Sequence, residues 1–67
     1  MIRIRVNGEE REVAEASTLE ELISTLGLKP ELVAVELNKR LVTRGERAAT
    51  ELSEGDRVEL VTMVGGG

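Results

Sequence analysis

Residues 2–6 alternate apolar and polar side chains, isoleucine or valine with arginine. This period of two predicts a half-buried β-strand. Asn7-Gly8 follows, and this dipeptide is a strong hairpin signal because both residues tolerate a positive φ. The segment from Glu10 to Ala14 predicts the returning strand, with Val13 as its clearest inward residue. The chain therefore begins with a predicted β-hairpin.

A capping box precedes the next apolar run. The Thr18 hydroxyl can accept a hydrogen bond from the Glu21 N–H, and the Glu21 carboxylate can reach back to the Thr18 N–H. The apolar positions that follow recur at helical spacing: Leu19, Leu22, Ile23 and Leu26. Gly27 supplies a left-handed stop. We expect one amphipathic helix of about two turns, with its apolar stripe packed on the sheet.

The second half of the chain contains three more predicted strands. Alternation from Val33 to Leu37 predicts one strand, and a turn leads to a short strand at residues 41–43. Residues 44–50 are polar and alanine-rich, and predict irregular structure or one helical turn. Ser53 to Asp56 is a turn in which glycine supplies a positive φ. Val58 to Met63 is the last predicted strand.

The last strand has apolar residues on both of its faces, which favours a central position in the sheet. Pairing with the first strand would then be parallel, across a long connection that contains the helix. The expected fold is α+β, a mixed five-stranded sheet with one main helix on one face. This is the β-grasp, or ubiquitin-like, arrangement. We assign residues 1–64 to the β-grasp domain and residues 65–67 to a flexible C-terminal glycine tail.

Composition argues against several classes of function. The 67 residues make one small domain, and a ligand pocket of roughly 300–1,000 Å³ would use most of its core. Histidine, cysteine and aromatic residues are absent, so no metal site is expected and the usual catalytic side chains are missing. A net charge of −4 argues against nucleic-acid binding. No apolar run approaches a membrane span of about 18 residues.

A cysteine-free chain without a signal peptide is expected in the cytoplasm.

The C-terminal segment, Val64-Gly65-Gly66-Gly67, is the best candidate for a reacting group. An α-carboxylate with a pKa of about 3.3–3.7 is ionised at neutral pH and is a poor electrophile. Reaction with ATP would activate it as an acyl-adenylate, from which a sulfur or nitrogen nucleophile can displace AMP. Glycine has no Cβ and would pass through a narrow channel into a partner enzyme. The alternative is a linker remnant without a function.

The sheet face away from the helix is a candidate docking surface. Arg3 and Arg5 are predicted to point to this face, and Val61 and Met63 with them. An exposed apolar pair beside charged residues suits a partner contact. The alternative is an ordinary strand surface. Arg44 either contacts a partner or a nucleotide phosphate, or is a surface residue only.

Several segments together resemble a known family, the bacterial sulfur carrier proteins of thiamine biosynthesis (ThiS). The resemblance covers nearly the whole chain and rests on these segments: Val6 to Glu9, Thr18-Leu19 with Leu22, Val33 to Asn38, Gly55-Asp56 before Val58 to Val61, and Val64 to Gly67. Such proteins often have a proline where Thr43 stands.

The resemblance implies a β-grasp protein that is a substrate rather than an enzyme and that binds no cofactor of its own. A partner adenylyltransferase would activate the Gly67 carboxylate with ATP, while Gly65 and Gly66 thread through its channel. A sulfur donor such as a cysteine desulfurase system would then convert Gly67 to a thiocarboxylate. Thiazole synthase would receive that sulfur.

Three alternatives share the tail or the fold. The first is a sulfur carrier for molybdopterin synthesis or for tRNA thiolation. The second is a ubiquitin-like modifier joined to lysines, and the third is an interaction module that does not react.

Overall fold

The computed structural model describes residues 1–63, so the predicted boundary between domain and tail lies outside the described residues. Its elements, in chain order, are β1 (Ile2–Val6), β2 (Glu9–Val13), α1 (Leu19–Thr25), a first 3₁₀ helix (Pro30–Leu32), β3 (Val33–Leu37), β4 (Arg40–Val42), a second 3₁₀ helix (Arg44–Ala49) and β5 (Arg57–Thr62).

The sheet formed by residues 1–63 has five strands in the order β2-β1-β5-β3-β4. β5 lies at its centre, parallel to β1 and antiparallel to β3. The outer pairs, β1 with β2 and β3 with β4, are antiparallel hairpins. The predicted central strand, the parallel pairing and the β-grasp arrangement are confirmed.

Local chemistry explains the first turn and the helix. Asn7 and Gly8 adopt φ values of 51° and 84°, which a two-residue hairpin turn requires. At the start of α1 the Glu21 N–H donates to Thr18 Oγ1 at 3.2 Å, and the Thr18 N–H donates to Glu21 Oε1 at 2.9 Å. Gly27 follows the helix with a φ of 72°. The capping box and the glycine stop are therefore confirmed.

One apolar cluster joins α1 to the sheet. Its buried members are Ile4, Val6, Leu19, Leu22, Ile23, Val33, Val35, Leu52, Val58 and Leu60. The strand members share one parity in β1, β3 and β5, so a single face of the sheet receives the helix. The opposite face is left uncovered by the elements of residues 1–63.

Three strands begin and end one residue earlier than the apolar pattern predicts. Glu9 pairs with Val6, Arg40 with Leu37, and Arg57 with Arg5. A polar residue can join a backbone ladder, because the ladder uses only N–H and C=O groups. Apolar alternation therefore marks the buried part of a strand and misses its polar first residue.

The segment predicted as irregular or as one helical turn is more regular than expected. Arg44–Ala49 forms a 3₁₀ helix of six residues that packs beside α1. Glu46 stabilises its start, since its Oε1 accepts from the Thr43 N–H at 2.9 Å and from the Thr43 hydroxyl at 2.8 Å.

Candidate functional site

The uncovered face of the sheet is called the open face here. It is defined by the residues that alternate with the core positions: Arg3, Arg5, Glu10, Glu12, Ala34, Glu36, Leu41, Arg57, Glu59 and Val61. Of these, only Ala34 is half-buried, and the others are exposed. Because β5 lies at the centre, the open face extends to the point where the chain leaves the sheet.

Apolar side chains occupy the end of the open face next to the C-terminal end of β5. Val61 is 60% exposed and stands opposite Ala34 on β3. Met63 follows β5 at the same parity and is 52% exposed. We call Ala34, Val61 and Met63 the apolar patch. An exposed patch rimmed by charge is typical of a protein contact.

Leu41 is a further apolar residue of the open face that sequence reasoning missed. It is 70% exposed and lies on β4, opposite Glu36. The sequence signal for this was its position next to Val42, which is half-buried, because neighbouring residues of a strand point to opposite faces of the sheet.

Arg3 and Arg5 lie at the other end of the open face. The Arg3 guanidinium approaches Glu10 at 3.8 Å and Glu12 at 4.0 Å, both on β2. Arg5 donates from Nη1 to the Gly8 carbonyl at 3.4 Å. The structure thus brings Arg3, Arg5 and Val61 onto one face, and their docking role stays a prediction.

Arg44 lies apart from the open face, on the helix side of the sheet. It lines an open cleft of about 450 Å³ with residues of α1, among them Glu20, Glu21 and Ser24. Any contact made by Arg44 would therefore belong to a different surface from the one that carries Arg3 and Arg5.

The buried arginine of this region is Arg47, which sequence reasoning missed. Its residue is 5% exposed, and its guanidinium donates to the Pro30 carbonyl at 2.9 Å and to the Val33 carbonyl at 2.6 Å. Arg47 Nε is buried without a hydrogen-bond partner among residues 1–63. The bonds tie the second 3₁₀ helix to the first residue of the first 3₁₀ helix and to the first residue of β3, which is a structural role.

The pKa of Glu46 lies below the usual range of a glutamate. The hydrogen bond from the Thr43 backbone N–H is the main cause, and the bond from the Thr43 hydroxyl is the second. This carboxylate caps the second 3₁₀ helix, so its pKa is lowered by the hydrogen bonds of the cap.

The end of β5 is fixed by one further hydrogen bond. The Met63 N–H donates to the Leu32 carbonyl at 2.6 Å, which continues the alignment of the chain beyond Thr62. The predicted reacting residue, Gly67, and its threading neighbours Gly65 and Gly66 lie outside the described residues. Their assigned roles stay predictions.

Residues 1–63 contain no helix with the length and hydropathy needed to cross a bilayer. The same part of the chain has no group of three potential metal-ligating side chains.

The model of the ThiS family matches residues 4–67 of this chain. The chain belongs to the ThiS family. The crystal structure of thiamine biosynthesis protein ThiS from Geobacter metallireducens is 38% identical to this family member, with a TM-score of 0.84, and covers 98% of this chain and 100% of that one. The sulfur carrier protein ThiS of Bacillus subtilis is 32% identical over 53 residues, which are 79% of this chain and 80% of that protein.

A longer relative matches the same ThiS-family chain. The thiazole synthase of Magnetococcus marinus is 46% identical over 66 residues, which are 98% of this chain but 20% of that protein. The chain therefore spans about a fifth of the length of this curated relative.

Proposed function

We propose that this ThiS-family protein is a sulfur carrier of thiamine biosynthesis, a protein substrate rather than an enzyme. The observation that carries the proposal is the family match, because it extends from residue 4 through the terminal glycines to residue 67. The likeness to ThiS of Geobacter metallireducens over 98% of the chain supports it.

The proposed chemistry takes place at the Gly67 carboxylate. One of its oxygens attacks the α-phosphorus of ATP, which forms an acyl-adenylate and releases pyrophosphate. Hydrosulfide then adds through its sulfur to the activated carbonyl carbon, and AMP leaves with the electron pair of the broken C–O bond. The proton on sulfur is lost to solvent. The product is a thiocarboxylate on Gly67. Glycines at 65 and 66 carry no Cβ, so the chain there has the smallest cross-section that a peptide offers to a channel.

Three partners follow from this chemistry. An adenylyltransferase supplies ATP activation. A cysteine desulfurase system supplies the sulfur as a persulfide, and a thiol reductant releases it as hydrosulfide while being oxidised to a disulfide. Thiazole synthase accepts the sulfur from Gly67. A relative named thiazole synthase that is 46% identical over 66 residues supports the last of these. The open face supports a docking role, since its apolar patch adjoins the point where the chain leaves the sheet. The proposal places the protein in the cytoplasm, consistent with a chain without cysteine.

Intact-mass spectrometry after incubation with ATP, the cognate adenylyltransferase and a sulfur source tests the proposal. We expect the mass gain of one sulfur-for-oxygen exchange. Oxidation of Met1 or Met63 gives nearly the same gain, so the product must also be alkylated. The chain has no cysteine, so an alkylating reagent that reacts with thiolates and thiocarboxylates but not with methionine thioethers labels only the thiocarboxylate.

A variant that lacks Gly67 is the matched control. It should take up no label, and its unfolding transition should equal that of the full chain, because the core is built from residues 4–60. Absence of label on the full chain would contradict the proposal. A ladder of lysine conjugates would point instead to a ubiquitin-like modifier.

A further inference from the structure

Two pairs of like charges stand directly opposite one another on the open face. Arg5 on β1 is registered with Arg57 on β5. Glu36 on β3 is registered with Glu59 on the same central strand. All four side chains are exposed. We call these the arginine pair and the glutamate pair.

This placement is unfavourable for the isolated domain. Like charges directly opposite on neighbouring strands destabilise a sheet, whereas opposite charges stabilise it. Among residues 1–63 the ion pairs within 4.0 Å both belong to Arg3, so neither like-charge pair is relieved by a salt bridge there. Exchanging Arg57 with Glu59 would convert both pairs to opposite charges with no change in composition.

The two pairs and the apolar patch form consecutive bands along β5. Arg57, Glu59 and Val61 are two residues apart, which corresponds to about 6.6 Å per step along a strand. The order toward the C-terminal end is therefore a positive band, a negative band and an apolar band. The apolar band is the one next to the tail.

A partner that covers these bands must match all three. A uniformly acidic surface would be repelled by the glutamate pair, and a uniformly basic surface by the arginine pair. A surface with an acidic group, then a basic group, then an apolar contact would be complementary. Such alternation favours one partner and rejects others, because juxtaposed like charges are costly at an interface.

We propose that the arginine pair and the glutamate pair are the element by which the adenylating enzyme selects this carrier. The inference rests on the proposed function and deepens it. Three glycines have no side chains by which an enzyme could distinguish this protein from other proteins. Before activation its carboxylate resembles that of any chain end, whereas a loaded carrier presents sulfur as a chemical label. The activating step therefore depends most on the body of the domain.

The test exchanges the two charges of β5. In the double variant Arg57→Glu with Glu59→Arg, both like-charge pairs become opposite-charge pairs. We expect the melting temperature to rise by about 2 °C. The gain is partial because the diagonal neighbours, Arg5 with residue 59 and Glu36 with residue 57, change from opposite to like charges. With purified cognate adenylyltransferase and ATP, pyrophosphate release should show a KM at least tenfold higher and a kcat within a factor of about three. The difference in KM should shrink at high salt, where exposed charges are screened.

The matched control exchanges Glu9 and Arg11 on β2. These residues are also exposed, two positions apart and oppositely charged, but they stand opposite the core residues Val6 and Ile4 on the helix side. Their exchange should leave KM unchanged. The single variant Arg57→Thr provides a second test with a side chain that suits strands, and its KM should rise at least threefold.

An unchanged KM in the exchanged variant or in Arg57→Thr would overturn the inference alone. A wild-type protein that is not adenylated would overturn the proposed function and, with it, this inference. A higher KM together with a higher melting temperature supports the inference, because damage to the fold would lower the melting temperature.

Discussion

Arg47 shows at the scale of one residue how a polar segment is fixed to the core. Its two hydrogen bonds reach the carbonyl of Pro30, the first residue of the first 3₁₀ helix, and that of Val33, which follows this helix. A charged donor strengthens each bond, while burial of the guanidinium and its unpartnered Nε opposes them. Arg47 therefore stabilises the fold only while it makes the hydrogen bonds to both carbonyls.

Replacing Arg47 with methionine should destabilise the domain by about 2 kcal/mol, because the buried Val33 carbonyl and the part-buried Pro30 carbonyl lose their donor. Urea unfolding followed by circular dichroism measures this, since the chain lacks aromatic fluorophores. Arg44→Met is the control on the same 3₁₀ helix, and it should change stability by less than about 0.5 kcal/mol. Equal effects at both positions would contradict a structural role for Arg47.

The cap formed by Thr43 and Glu46 is a second local contribution to stability, and its size depends on pH. The folded state lowers the pKa of Glu46, mainly through the Thr43 N–H. A lowered pKa stabilises the fold above the unfolded value of about 4.3, and this contribution is lost as the pH falls through the folded value. NMR titration should give a lowered pKa in the wild type and a value closer to normal in Thr43→Pro, which lacks the N–H. An unchanged pKa would contradict this account.

At the scale of secondary-structure elements, the Asn7 side chain extends the pairing of β1 with β5. Its Nδ2 donates to the Leu60 carbonyl at 3.1 Å, and its Oδ1 accepts from the Leu60 N–H at 2.7 Å. The amide thus replaces a backbone partner where β1 turns away into the hairpin. Asn7 also has a positive φ, which asparagine tolerates better than most residues.

Asn7→Ala should therefore destabilise the domain by about 2 kcal/mol, through the lost bonds to Leu60 and the strained φ. Hydrogen exchange of the Leu60 amide should accelerate more than that of the β3 and β4 amides. Asn7→Gly is the control that keeps the φ and loses only the side-chain bonds, so its cost should be smaller. A larger cost for glycine than for alanine would contradict this reasoning.

Elements with local causes were predictable from the sequence. The hairpin depends on Asn7-Gly8 and the helix on the box between Thr18 and Glu21, and both act within a few residues. Burial of Arg47 depends on carbonyls 14 and 17 residues away, which no local pattern encodes. The placement of the like charges of Arg5 and Arg57 opposite each other likewise follows from strand register.

At the scale of the whole molecule, the core cluster of residues 1–63 couples both halves of the sheet. Residues from β1, α1, β3 and β5 share it, so the domain should unfold as one unit. The middle of the open face and the C-terminal end of the described strand at Thr62 both belong to β5. A substitution that weakens core packing at one edge of the sheet should therefore also lower the stability of the opposite edge.

Ile4→Val tests this coupling, with an expected cost of about 1 kcal/mol from a residue that is 1% exposed. Slowly exchanging amides of β1 and of β3 should lose protection by the same factor, roughly fivefold. Leu41→Val, at a position 70% exposed, is the control and should change exchange little. Loss confined to β1 would indicate two independent units.

The parallel pairing of β1 with β5 also has a mechanical consequence. Ile2 and Thr62 lie at opposite ends of this pair, so tension between them slides the strands and loads their bonds together. Tension across the antiparallel pair β3 and β4 would open it one bond at a time. Single-molecule stretching should therefore give a higher rupture force through residues 2 and 62 than through residues 33 and 42. A pull on Thr62 while Ile2 is held would thus load the bonds between β1 and β5 together.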